Sequence, residues 1–295
     1  AESLSSRRVN RCLLLTQGLA NQGITDPAEL ARHAEGLRTR GITTTTFGVG
    51  EGFDETLLQS LATAGGGHFY FIADSASIVD HITSEVGEAL DIVARGATLE
   101  VTAPDGLKVE SLSPYRTRER TGRTEISIGD LSANQQVSVI LRLKFPYGQL
   151  GERAGVVLSI SDQDGVLTDH SASLHWEYAD DATNGGQERD RTVDRAVART
   201  FAARAGQEAV RLNRTGDFEA AKKALKATAR KIGEYAGRDT ELRTFMSSLE
   251  QQAELMAAPM PAMALKASHA ASSYALYSRS ADGAATKAPS APRKA

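Results

Sequence analysis

The 295-residue chain has little of what most firmly commits a sequence to one chemistry. It contains one cysteine, Cys12, so no disulfide can form within the chain. A single thiol is compatible with a reducing compartment, and in the run Cys12-Leu13-Leu14-Leu15 it reads as a small hydrophobe on a buried strand. No apolar run approaches the ~18–20 residues needed to cross a bilayer. The opening eight residues lack an apolar secretion core. As written, the chain carries no address, and a cytoplasmic location is the expectation. An excess of one charge is also missing: 34 lysines and arginines face 37 acidic residues, a net charge of −3. With no basic face, nucleic acid is not an expected partner.

Catalytic constellations are lacking too. The six histidines, at 33, 68, 81, 170, 175 and 269, share no metal-ligand spacing. No serine stands in a G-x-S-x-G elbow. Glu85 and Glu88 fall three apart on a helix, where a solvated face is the expectation. An enzyme is therefore not expected.

What is present is the composition of a globular protein, 41% hydrophobic and 24% charged, long enough for two or three domains. Residues 12–16 read as a strand ending in the turn residues Gly18 and Asn21. Asp26-Pro27 supplies an N-cap and a first-turn proline for a helix through Leu30, Ala34 and Leu37, stopped by Gly41. Residues 42–49 are rich in β-branched side chains, a second strand. Phe53 or Asp54 opens a second helix, closed at Gly65-Gly66-Gly67, and residues 68–72 form a third strand. Asp74 caps a third helix over 76–94, with Ile78, Ile82, Val86, Leu90 and Val93 on one face. Alternating strands and helices imply a parallel sheet with helices on its faces.

From residue 97 the period falls to two. Short strands at 99–102, 107–109, 124–128, 136–145, 154–161 and 166–178 predict an antiparallel sandwich. Residues 180–189 read as a linker, and 190–256 as a three-helix segment or helical hairpin broken at Gly216-Asp217 and Gly237-Arg238-Asp239. The alanine-, serine- and proline-rich stretch 257–295 lacks a sustained period and reads as a disordered tail. The expected fold class is α/β, a partial doubly wound parallel sheet over 1–95. An antiparallel β-sandwich (96–179), a helical segment (180–256) and the tail (257–295) follow.

Three stretches carry a family likeness: Leu13-Leu14-Leu15-Thr16-Gln17-Gly18-Leu19-Ala20-Asn21, residues 41–50 and residues 64–72. Their order and their placement on strand ends resemble the von Willebrand factor type A family, in the bacterial branch that follows the domain with a β-sandwich. Members of that family typically read leucine-leucine-threonine-aspartate-glycine in the first stretch. The resemblance implies a Mg²⁺-type site built from an aspartate-x-serine-x-serine loop, a threonine and that aspartate, with one coordination position left for a partner's carboxylate. Here the aspartate position is Gln17, a neutral amide. The remaining ligands would lie upstream of Ala1, which makes the chain an expected piece of a longer protein. No metal ligand is assigned and no cofactor is expected. Mg²⁺ enters only if an upstream loop exists.

Several motifs read as decoys. Asp169-His170-Ser171-Ala172-Ser173 matches the metal loop by letter, but Ala172, Leu174, Trp176 and Tyr178 alternate with polar residues as on a half-buried strand. Gly48-Val49-Gly50-Glu51-Gly52 lacks the third glycine of a nucleotide loop, because position 53 is Phe53. Asp162-Gln163-Asp164-Gly165 starts like a calcium loop without its closing glutamate, so a hairpin turn is expected.

In the family's sheet the fourth strand lies beside the first, so without that neighbour Cys12, Leu13, Leu14, Leu15 and Thr16 form an apolar edge open to another chain. The expected function is a non-enzymatic protein-interaction or scaffold module with a degenerate metal site, meeting a protein partner or a second copy through that edge. The alternative is a divalent-metal-dependent ligand-binding protein whose metal loop lies upstream.

Overall fold

The computed structural model describes residues 9–167 and 170–288. These fall into two compact units, one holding the chain up to Asp91 with 132–137 and the chain from Ala198 onward, the other 92–131 and 138–197.

The first unit begins with three parallel strands in the order β1 (Asn10–Thr16), β2 (Ile42–Val49), β3 (Gly66–Ile72). Between them run α1 (Pro27–Thr39) and α2 (Glu55–Gly65), and α3 (Ile78–Leu90) follows β3. Local chemistry sets these ends. The Asp26 carboxylate accepts the Glu29 N–H at 2.8 Å with Pro27 in the first turn of α1. Asp54 accepts the N–H groups of Thr56 and Leu57 at the start of α2. Gly66 ends α2 in the left-handed region at φ 72°, which a side chain would strain. Asp74 caps a single 3₁₀ turn, Ser75–Ser77, and α3 starts only after it. That helix stops at Leu90, short of the expected residue 94, because the β-branched pair Ile92-Val93 already opens the next strand.

Alternation along β2 and β3 gives the sheet two faces. Phe69 and Phe71 join Leu58, Leu61, Ala62 and Phe53 on the α1–α2 side. Phe47, Tyr70 and Ile72 turn to the other side against Ile78 and Ile82 of α3. There the rings of Phe47 and Tyr70 stack at 5.0 Å. Helices thus cover both faces, as the doubly wound reading requires.

In the second unit a five-stranded sheet runs β10-β9-β4-β7-β6, and a two-stranded one pairs β5 with β8. The strands are β4 (Ile92–Thr102), β5 (Lys108–Ser111), β6 (Arg116–Arg120), β7 (Arg123–Ser132), β8 (Leu141–Lys144), β9 (Arg153–Ser161) and β10 (His170–Glu177). Val101, Ile126 and Val156 of the larger sheet pack with Val109, Leu141 and Leu143 of the smaller, a sandwich core. Two features depart from the sequence reading. The polar, fully exposed β6 has no apolar residue to announce it. Strand β10 is an exposed sheet margin instead of half-buried, with Leu174 at 46% and Trp176 at 39% exposure.

A short helix α4 (Asp181–Gly185) interrupts the expected linker, and α5 (Arg191–Arg214), α6 (Phe218–Ala236) and α7 (Thr240–Met256) follow as the expected three helices. The stretch read as a disordered tail instead holds α8 (Ala262–Leu276). Its Leu265 joins the helical core with Val210, Leu225 and Met256. Ala270 and Tyr274 join the α/β core with Phe53 and Phe69. A helix buried between two apolar cores needs no polar stripe, so its small alanines and serines hide the helical period.

Candidate binding site

Three places could carry function: the free side of β1, a buried ionic cluster on the α3 face, and a cleft at the carboxyl end of the sheet.

Cys12, Leu13, Leu14, Leu15 and Thr16 lie on β1, which pairs in parallel with β2 from Asn10↔Ile42 to Thr16↔Gly48. Among the described residues nothing pairs with its other side. Leu13, Leu14 and Leu15 are 40%, 38% and 47% exposed, and Cys12 is half-buried. The run is therefore not the buried strand its composition suggests, because among the described residues no further strand or helix covers its leucines. The opposite margin of the sheet is closed. There the Phe71 N–H donates to the Tyr274 hydroxyl of α8 at 2.9 Å.

Gln17 follows β1 and is exposed. Its main-chain oxygen sits where a Cβ on Gly52 would come within 2.3 Å, so the loop after β2 lies directly on it. In the same loop the ring of Phe53 packs against Gly48, at 2.3 Å from a Cβ built there, so this glycine run seats an aromatic ring and not a phosphate. Asp162 accepts the N–H groups of Asp164 and Leu167, the expected turn. Of the letter-match to a metal loop, Asp169 lies outside the described residues, while Ser171 and Ser173 sit on β10 opposite Ser159 and Val157.

Glu85 is fully buried, against the expectation of a solvated helix face. It accepts from Thr45 Oγ1 at 2.7 Å and Tyr70 Oη at 2.9 Å, lies 3.1 Å from His68 Nδ1, and pairs with Arg11 of β1. Burial pushes its pKa up, but His68, Arg11 and Thr45 outweigh burial and hold it well below the carboxylate range. Beside it Glu88 takes the Arg279 guanidinium at 2.9 Å and the Ala285 N–H at 2.8 Å. His68, Glu85 and Glu88 are the described residues that offer three metal-ligand atoms within 4.8 Å of one another. Two guanidinium groups already occupy these carboxylates, so the cluster is chemically an ion-pair network. Periodicity could not reveal it, since its members come from β1, β2, β3, α3 and the segment after α8.

The cleft, about 740 Å³, opens where β2 ends. Leu19, Phe53 and Glu55 line one side, and Arg204, Val210 and Arg214 of α5 with Lys266 and His269 of α8 the other. Crevices beyond the carboxyl ends of parallel strands are where ligands of open α/β sheets sit. The chain pattern located the loop, but α8 lay in the stretch read as disordered, so its half of the cleft went unseen.

Residues 1–85 match the model of the von Willebrand factor type A domain. The chain is 26% identical over 176 residues to the uncharacterized protein YfbK of Escherichia coli strain K12, an alignment covering 57% of this chain and 30% of that protein. Among solved structures it resembles a von Willebrand factor type A protein from Catenulispora acidiphila, with a TM-score of 0.61 and 20% identity, over 80% of this chain and 57% of the other. The chain thus spans less than two thirds of either relative. No described helix is long and apolar enough to cross a membrane. The strand ends, the two-faced parallel sheet and the family model thus agree in likening residues 1–85 to a von Willebrand factor type A domain.

Proposed function

We propose that this protein is a non-enzymatic protein-interaction module whose docking element is the free side of β1. The observation that carries this reading is the asymmetry of the sheet. One margin is closed by Tyr274, whereas the other, among the described residues, offers an unpaired strand with three exposed leucines. An extended segment added to β1 would fill its main-chain hydrogen bonds and cover Leu13, Leu14 and Leu15. Gln17 is a neutral amide where the resembled family carries an aspartate, so in this reading docking proceeds without a divalent cation and no cofactor takes part. The absence of a nucleophile–base pair at the cleft supports a binding role over catalysis.

The test is light scattering coupled to size exclusion across a concentration series, with and without Mg²⁺. Self-association or partner capture lost in Leu14→Lys and indifferent to Mg²⁺ is the expected result. A stable monomer at high concentration that also captures nothing, or an association that requires Mg²⁺, overturns it.

A further inference from the structure

The cleft has an unusual floor. Glu55 is 1% and Lys266 4% exposed, and the Lys266 ammonium donates to Glu55 Oε2 at 2.8 Å and to the Phe53 carbonyl. It also lies 4.0 Å from the centroid of the Phe53 ring. Arg214 pairs with the same carboxylate. Two cations thus share one anion in a largely dehydrated place.

The other charges around the cleft are accounted for. Glu208 is taken by Arg211 at 2.6 and 2.8 Å. The Asp54 carboxylate receives two N–H groups of α2. Glu51 and Arg204 are exposed to water at the rim. An ammonium has three donors, and Lys266 uses two of them. The buried ring of His269 adds Nε2, which has no hydrogen-bond partner. Burial and the Arg214 charge lower the Lys266 pKa, and burial lowers that of Arg214, and in both cases this outweighs the opposing pull of Asp54. The walls above are apolar, from Leu19, Phe53, Val210 and Ala262.

We propose that this cleft binds an apolar group ending in a single carboxylate, with the carboxylate between Lys266 and Arg214 and the apolar body against Phe53 and Val210. A carboxylate brings a second anion to two cations that share Glu55 and accepts from their spare donors, which is the strongest kind of hydrogen bond available there. The volume suits a small ligand or one terminal side chain. The same chemistry has two sources, a free monocarboxylic acid or the carboxyl-terminal residue of a peptide. This site is separate from the strand-docking surface and does not depend on it.

The experiment is calorimetric titration of the full chain with 4-phenylbutyrate and with 4-phenylbutanol. A tetrapeptide ending in free phenylalanine and its carboxyl-terminal amide form the second pair. The acid should bind about tenfold or more tightly than the alcohol, or the free peptide than the amide. Whichever pair discriminates identifies the source. Arg214→Gln, at the partly exposed last residue of α5, should weaken binding about tenfold with an unchanged circular dichroism spectrum. Equal affinity within both pairs, or no binding of either anion at millimolar concentration, overturns the proposal. Because the wild-type comparison needs no variant, it stands even if Arg214→Gln fails to fold. Leu14→Lys should leave this binding unchanged, which separates its failure from that of the β1 docking reading.

Discussion

The main-chain N–H of Phe71, on the outer margin of β3, donates to the hydroxyl of Tyr274 at 2.9 Å across 203 residues of sequence. A side chain from α8 here does what a neighbouring strand would do. Tyr274→Phe keeps the ring and removes only the acceptor. Leaving a partly buried N–H unsatisfied costs about 1–3 kcal/mol, read as a lower urea midpoint with unchanged slope. A loss under about 0.5 kcal/mol would mean that water replaces the phenol.

The free side of β1 predicts a different kind of tolerance. Leu15 is 47% exposed and loses little buried contact on replacement. Leu15→Lys is expected to shift unfolding by no more than about 0.5 kcal/mol, as surface changes do. A much larger loss in a monomeric sample would show that the leucine is already covered.

Glu85 sits at the opposite extreme. Replacing it with glutamine removes the anion that Arg11 pairs with and leaves a guanidinium buried beside Thr45 and Tyr70. Breaking one half of a buried pair costs about 3–5 kcal/mol. Chemical denaturation of Glu85→Gln measures this directly, and a near-neutral result would sink the network as a structural element.

Acid should weaken the first unit in two steps. Burial, with the charges of Arg214 and Lys266, lowers the His269 pKa from 6.5 to about 4. Between those values the unfolded chain holds more protons than the folded one, so stability declines as pH falls, by about 3 kcal/mol in all. Glu85, held low in the folded state, adds a further loss once pH drops below its unfolded value of 4.5. Urea midpoints from pH 7 to pH 4 should follow this decline. In His269→Leu the earlier part should flatten, and a persisting slope would assign it elsewhere.

Two glycines should respond in opposite directions to alanine. A Cβ on Gly67 would lie 2.3 Å from the Thr44 main-chain oxygen, which cannot retreat without moving β2. Gly36, inside α1, meets nothing within 4 Å. Gly36→Ala should raise stability by about 0.5–1 kcal/mol, whereas Gly67→Ala should lower it by about 1–3 kcal/mol. Thermal melts of the two variants give the comparison.

The sequence reading succeeded where local chemistry decides. Asp26, Asp54 and Gly66 mark helix ends through their own hydrogen bonds or backbone, and residues 42–49 show their strand by β-branching. It failed where partners are remote. Nothing near Ala262 announces that Leu265 and Tyr274 will face two different cores, so a buried helix looked like a disordered tail. Glu85 and Glu88 have the spacing of a solvated face, and remote partners, Arg11 with His68, Thr45 and Tyr70 for the buried Glu85 and Arg279 for the partly buried Glu88, make their positions tolerable. The cleft was half legible, because only the loop after β2 lies within the recognisable part.

The reliance of β3 on α8 carries a temporal consequence during synthesis. At about 5–20 residues per second, a ribosome takes about 10–40 s to pass from Phe71 to Tyr274. Through that interval the outer margin of β3 is bare, so the window for mispairing there and for chaperone capture closes only as α8 emerges.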